Sequence, residues 1–250
     1  MDYTFVYQKS EIKKIRQGGK ILAKILIQLK RKVKPGVTTR DLVNYAEKLF
    51  QDSPGVASFK GYNGYPDAIC VSVNEEVVHT AGSERQVKEG DIVGLDLGFK
   101  YLGYHSDLAE TVMVGRTEGL AKKLTKAAKI ALKKAIKAVR PGILLSKIGR
   151  IVEEVAKEKG FSVVKELSGH GIGRELHEEP TIPNFYQEDK ETVFKKGMVV
   201  AIEPILSAGS GKIVDLKEEH KIVTEDGALS SHFEHTIAVL EKGAEVLTKT

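Results

Sequence analysis

Apolar positions along the first part of the chain keep a helical rhythm. Ile12, Ile15, Leu22, Leu26, Leu29 and Val33 fall three, four or seven residues apart, which gathers them on one face of an α-helix. Ser10 stands ahead of them, able to cap the first turn. The rhythm returns with Leu120, Leu124, Ala127, Ala131 and Ala135. Both runs stop at a basic residue followed by Pro-Gly, because proline disfavours helical backbone in the residue before it and glycine accepts helix-ending conformations. A second amphipathic run follows each, with Leu42, Tyr45, Ala46 and Leu49 in one and Ile148, Val152, Val155 and Ala156 in the other. Strand-like stretches come next: DIVGLDLGF and SDLAETVMV, then MVVAIEPIL and HFEHTIAVL. Helices followed by antiparallel strands, twice over, predict an α+β fold of two pseudo-symmetric halves, with a cleft where the sheets meet.

The two halves share wording as well as order. VKPGVTTRDL at 33–42 returns as VRPGILLSKI at 139–148, and VKEGDIVGLD at 87–96 returns as FKKGMVVAIE at 194–203, at offsets of 106 and 107. An internal duplication is expected, with repeats at about 10–115 and 118–241 inside a single catalytic domain spanning 1–250.

Composition narrows the chemistry. A chain of 250 residues with 41% hydrophobic content can bury a substantial core. The single cysteine, Cys70, excludes an intrachain disulfide and any multi-thiolate metal site, so a metal here must be held by Asp, Glu and His. The N-terminus lacks an apolar leader, and ILAKILIQL is interrupted by Lys24 and too short to span a bilayer, so a soluble, cytoplasmic protein without membrane attachment is expected. The net charge of +5 is too mild to mark a nucleic-acid binder. Lys122, Lys126, Lys129, Lys133, Lys137 and Arg140 nevertheless share one helical face, to be read first as a solvated surface and second as a docking surface for RNA, such as the ribosome.

Four acids sit inside the apolar strands: Asp96 in IVGLDLG, Asp107 in HSDLAETV, Glu203 in VVAIEP and Glu234 in HFEHTIAV. An unpaired buried carboxylate is costly, so each needs a partner. The duplication sets Asp96 and Glu203 at equivalent points, and Asp107 and Glu234 within two residues of equivalence, which preserves facing because side chains alternate with period two. The spacing of Asp96 and Asp107 suits a hairpin turning near 100–103, with both acids on one face and Gly94, Gly98 and Ala109 keeping space beside them. Four converging carboxylates call for about two divalent cations, an arrangement suited to hydrolysis. His170, presented by SGHGIG, is the natural nitrogen ligand.

Taken in order, VNEEVVH, GLDLGFKYLGYHSDLAETV, SGHGIGRELHEEP, AIEP and FEHTI resemble the motifs of type I methionine aminopeptidase, over essentially the whole chain. The resemblance implies the pita-bread fold and five metal ligands, Asp96, Asp107, His170, Glu203 and Glu234, with Asp107 and Glu234 bridging the two ions, Asp96 completing one and His170 with Glu203 the other. Cobalt, manganese, iron(II) and zinc all suit that donor set. It further implies removal of the N-terminal methionine from peptides and nascent chains with a small second residue, by attack of a metal-bridging hydroxide. His177 would face the developing oxyanion and His79 the scissile amide, with Glu203 carrying a proton; the protein would be a monomer. Tyr62, Tyr65 and Cys70 would line the methionine pocket, and the glycines of SGHGIG would let substrate backbone approach closely. His220 departs from bacterial relatives, which carry an indole at that place.

Other residues read as structural. His105, His232 and His235 lie beside the ligand acids in strands, are assigned to the opposite face, and read as structural or as supports behind the ligands; Glu110 reads as an ion-pairing residue, and Glu178 and Glu179 as surface acids before loop-orienting ones. X-Pro peptidases of the same fold generally carry an added N-terminal domain, for which a first helix starting near residue 10 leaves no room. Type II methionine aminopeptidases carry a helical insertion that the interval between His177 and Glu203 does not accommodate. A non-catalytic binding module would have no use for five ligands and two facing histidines.

Overall fold

The computed structural model describes residues 5–188, 192–217 and 220–250. Helix α1 (Lys9–Lys30) and α2 (Thr39–Gln51) precede the first long strands, and α3 (Gly119–Ala138) and α4 (Ser146–Glu158) precede the second set. The cap of α1 is Gln8, not Ser10: the Gln8 side chain accepts from the third helical residue while its backbone N–H reaches Glu11 Oε2 at 2.8 Å, a reciprocal arrangement that satisfies two otherwise orphaned donors. α1 also ends at Lys30, so Val33 is buried from a turn beyond it, and Leu120 at the start of α3 is 54% exposed rather than part of the buried stripe. No helix among the described residues is long and apolar enough to cross a membrane.

Every strand pairing among the described residues is antiparallel. In the first half, Ile92–Tyr101 and Tyr104–Met113 form a continuous hairpin turning at Leu102-Gly103, flanked by Ile69–Val73 and Val56–Ala57. In the second half each corresponding run is broken. Val199–Ile202 and Ile205–Ser207 part at Glu203-Pro204, and Ser230–His232 and His235–Leu240 part at Phe233-Glu234. Proline has no N–H to give a ladder, and the chain changes sheet there. The two acids of this half therefore sit at bends, while those of the first half sit in straight strands.

One apolar cluster packs α1 and α2 on the first hairpin through Leu22, Leu26, Leu42, Leu95 and Phe99; another packs α3 and α4 on the second sheet through Leu124, Ala131, Ile148, Val200 and Ile237. The halves meet along the cleft floor, where two threonines make matching clasps. Thr236 Oγ1 accepts from Asp107 N and donates to Asp107 O, both at 2.8 Å. Thr111 Oγ1 accepts from His232 N at 2.9 Å and donates to His232 O at 2.8 Å.

Candidate metal centre and substrate cleft

The hairpin register fixes the first pair of acids. Asp96 lies opposite Ala109 and Asp107 opposite Gly98, so the two carboxylates share a face on a diagonal. Gly98 does not hold space open, as its small size suggests in the sequence. A Cβ there would fall 2.5 Å from the Phe59 ring, so the glycine admits Phe59, which then walls the cleft.

Asp107 and Glu234 are buried, and a ligand atom from each lies within 4.8 Å of one from His170. The His170 ring is oriented by its own loop: Nδ1 donates to the Gly171 carbonyl at 2.8 Å, leaving Nε2 with a lone pair directed at Glu203 Oε1, 3.5 Å away. The Glu203 backbone is held by Asn184, whose Nδ2 donates to its carbonyl at 2.9 Å. Burial, with the other acids adding to it, lifts the Asp107, Glu203 and Glu234 carboxyls well above the usual carboxylate range, and burial, partly offset by Asp107, raises Asp96 to about 7. Burial, with His177 adding to it, lowers His170 to about 3, so it stays neutral and can donate its lone pair. Asp96 Oδ1, Glu234 Oε1 and His232 Nε2 are buried and make no hydrogen bond.

Above this floor the cleft has a volume of about 610 Å³. Cys70 pairs with Asp96 across the sheet, and burial pushes its thiol up, so it is an apolar wall rather than a nucleophile. The Tyr65 hydroxyl donates to the Thr80 carbonyl at 2.9 Å, which turns its ring to the cavity, and His220 stands edge-on to that ring at 6.2 Å. His79 also lines the cleft, with φ of 54°, a left-handed conformation unusual for a non-glycine residue; the backbone beyond it is held by a bond from Val71 N to Thr80 O at 3.0 Å. His177 Nδ1 is 2.8 Å from the Tyr62 hydroxyl, and its ring meets that of His170 at 4.4 Å.

All ten residues singled out from the sequence, Tyr62, Tyr65, Cys70, His79, Asp96, Asp107, His170, His177, Glu203 and Glu234, line this one cleft. Phe59, Leu176, Asp215 and Lys217 line it too, with no signal in the sequence to mark them. Three expectations need correction. The glycines of SGHGIG serve the protein's own backbone: a Cβ at Gly169 would lie 2.3 Å from Ala201 O, at Gly171 2.3 Å from Glu179 O, and at Gly173 2.2 Å from the Tyr7 hydroxyl. Glu178 is a half-buried anchor that accepts from Tyr7 and from Glu175 N. His232 does not face away from the acids; it ends its strand at the break before Glu234, and its Nε2 lies 3.9 Å from Glu234 Oε2. His105 and His235 are spent on Ser58 and Thr248, each at 2.9 Å, and Glu110 pairs with Lys30 at 2.6 Å.

The sequence matches metallopeptidase family M24 over residues 13–241. The chain belongs to family M24. This M24 chain is 42% identical to methionine aminopeptidase 1 of Bacillus subtilis over 235 residues, covering 94% of this chain and 95% of that one. The crystal structure of methionine aminopeptidase from Thermotoga maritima superposes with a TM-score of 0.96 at 41% identity, covering 99% of this chain and all of that one. The prolidase from Pyrococcus furiosus shares the fold at a TM-score of 0.78 and 25% identity, but the match spans only 66% of the prolidase chain. The pita-bread fold is common to these M24 structures.

The donor set fits the metals of an M24 peptidase. Four acids stripped of protons, Asp107 and Glu234 buried and Asp96 and Glu203 half-buried, carry four negative charges, which two divalent cations balance. Among the described residues, five buried side-chain polar atoms lack a hydrogen-bond partner, and two of them, Asp96 Oδ1 and Glu234 Oε1, are carboxylate oxygens of this site, atoms a cation would satisfy.

Proposed function

We propose that this chain removes the N-terminal methionine from peptides and nascent proteins, preferring a small second residue. The observation that carries this reading is the convergence of the five ligand-type residues under a cleft whose walls, Phe59, Tyr65, Cys70 and Leu176, suit an unbranched thioether side chain. Asp96, Asp107, His170, Glu203 and Glu234 would hold two divalent cations of the manganese, iron(II), cobalt or zinc kind. Bound there, such cations supply Lewis acidity toward a carbonyl oxygen and make water nucleophilic near neutral pH.

The chain's own groups do the rest. With methionine against Cys70 and Tyr65, the scissile amide lies between His79 and His177. His177, its Nδ1 engaged by the Tyr62 hydroxyl, offers Nε2–H to charge developing on the carbonyl oxygen. His79 offers a nitrogen to the amide, and Glu203 takes a proton on a carboxylate oxygen and returns it to the leaving amine. The outward face of α3, with Lys122, Lys126, Lys129, Lys133 and Lys137 all exposed, belongs to the same proposal as a ribosome-docking surface of a monomeric cytoplasmic enzyme acting as a single domain.

Metal-loaded protein incubated with Met-Ala-Ser should release free methionine and stop when the metal is chelated. Recovery of the intact tripeptide, alongside cleavage of a dipeptide ending in proline, would replace this reading with the prolidase one.

A further inference from the structure

His232 lies beside the metal centre, on the side of the ligand acids and not on the opposite face expected of it. Its side chain is 4% exposed, and Nε2 makes no hydrogen bond. That nitrogen points between two ligand acids, 3.7 Å from Glu203 Oε2 and 3.9 Å from Glu234 Oε2. A buried donor left unpaired carries a desolvation cost, so the gap needs an explanation. His232 is not among the residues lining the cleft. It therefore stands behind the carboxylates, where it can touch the acids but is not placed to coordinate a cation in front of them.

The two clasps explain the aim. Matching ETV at 110–112 with HTI at 235–237 pairs Thr111 with Thr236, and the same alignment pairs Asp107 with His232. Thr236 grips the backbone of Asp107 and Thr111 grips the backbone of His232, both through N–H and C=O. The duplicated template thus delivers a side chain to the floor from each half: a carboxylate from the first and an imidazole from the second.

On the metallopeptidase reading above, we infer that His232 is a positioning residue of the metal centre, donating Nε2–H from behind to the Glu203 and Glu234 carboxylates and fixing which of their oxygens face the cleft. Glu203 is then flanked by two imidazoles, with His170 Nε2 3.5 Å from Oε1 on one side and His232 Nε2 on the Oε2 side. When the acids are deprotonated around cations they become stronger acceptors, and a shift of about 1 Å brings the His232 Nε2–H to charge-assisted hydrogen-bond distance from either carboxylate, while His170 Nε2 keeps its lone pair for a cation. A ligand carboxylate fixed in this way binds metal more tightly than one free to rotate.

The test compares wild type, His232→Leu and His232→Gln. Each is prepared metal-free, shown to be folded by circular dichroism and thermal unfolding, and titrated with manganese by calorimetry and by paramagnetic resonance of the bound ion. His232→Leu should weaken manganese binding about 10- to 100-fold, while His232→Gln, whose amide restores an N–H donor, should stay within about threefold of wild type. Should the leucine variant not fold, His232→Met makes the same comparison. Wild-type affinity in the apolar variant overturns the inference, as does a glutamine variant that is folded and binds as weakly as leucine. Wild-type protein that binds no manganese overturns the metallopeptidase reading itself, and this inference with it.

Discussion

The Tyr7 hydroxyl meets both carboxylate oxygens of Glu178, at 2.6 and 2.7 Å, across 171 residues of sequence. The same oxygen accepts from Arg174 N at 3.0 Å, and the ring covers Gly173. Burial, reinforced by the Glu178 carboxylate, raises the tyrosine well above its ordinary value, so it remains a donor. The segment ahead of the first helix thus holds the residue next to His177.

Replacing Tyr7 by Phe removes that donor and leaves the half-buried Glu178 carboxylate short of a partner and Arg174 N without its acceptor. We expect a loss of about 1.5 to 3 kcal/mol in urea unfolding. Turnover should fall several-fold as the His177 loop loosens, with manganese affinity unchanged; unchanged stability and rate would show that the loop is set without Tyr7.

Asp107→Asn keeps the shape of a central ligand and removes its charge. Manganese affinity should fall by more than the ~10- to 100-fold typical of groups that merely support ligands. Calorimetric titration reads it directly, and an undiminished affinity would remove Asp107 from the ligand set.

His79→Ala should spare the metals and slow the reaction. A fall in kcat of about 10² to 10⁴ is expected for loss of a group that handles a proton in the transition state. Metal analysis of the same preparation separates this from loss of ions, and a wild-type rate would return His79 to a packing role.

The metal-free protein should lose stability as pH rises above neutrality. Asp96 is raised from 3.8 to about 7, and Asp107, Glu203 and Glu234 move the same way, so the folded state holds protons that the unfolded chain has released. Their contribution is complete below the unfolded carboxylate range and is lost as pH passes upward through the folded values. His105 and His232, which are buried, and His170 and His235, which are half-buried, are lowered from 6.5 to between about 3 and about 4 and act in the opposite sense, but only below their unfolded value. Urea unfolding between about pH 6.5 and 8.5 isolates the acids. Saturating manganese, at about 100 times its dissociation constant, should add about 2.7 kcal/mol; metal-free stability that rises across this window would contradict the assignment.

Gly169→Ala tests the corrected role of the glycine loop. The new methyl would lie 2.3 Å from Ala201 O and 3.2 Å from Ile182 Cβ. We expect destabilisation of about 1 to 3 kcal/mol in thermal unfolding, as for other overpacked sites. A stable variant with poor substrate binding would instead restore the idea that the space serves the peptide.

What the sequence made legible was whatever obeyed a period or a repeat. The helices and first hairpin followed from spacing, and the four acids stood out because a charge in an apolar strand needs a reason. The bends at Glu203 and Glu234 were hidden because MVVAIEPIL and HFEHTIAVL read as unbroken strands, although Pro204 was a cue. Phe59 and Tyr7 reach the site through contacts between distant parts of the chain, which no local pattern encodes. The facing of His232 was hidden by the same break, because alternation along HFEHTIAVL stops at Phe233-Glu234.

The paired threonine clasps restrict how this molecule can breathe. Because the Thr111 and Thr236 hydroxyls each grip the backbone of the opposite half beside the acids, prising the halves apart would break four hydrogen bonds at once. The base of the site behaves as a weld and not a hinge, and a peptide that needs more room must obtain it from the mouth, where Tyr62, His177 and His220 are exposed.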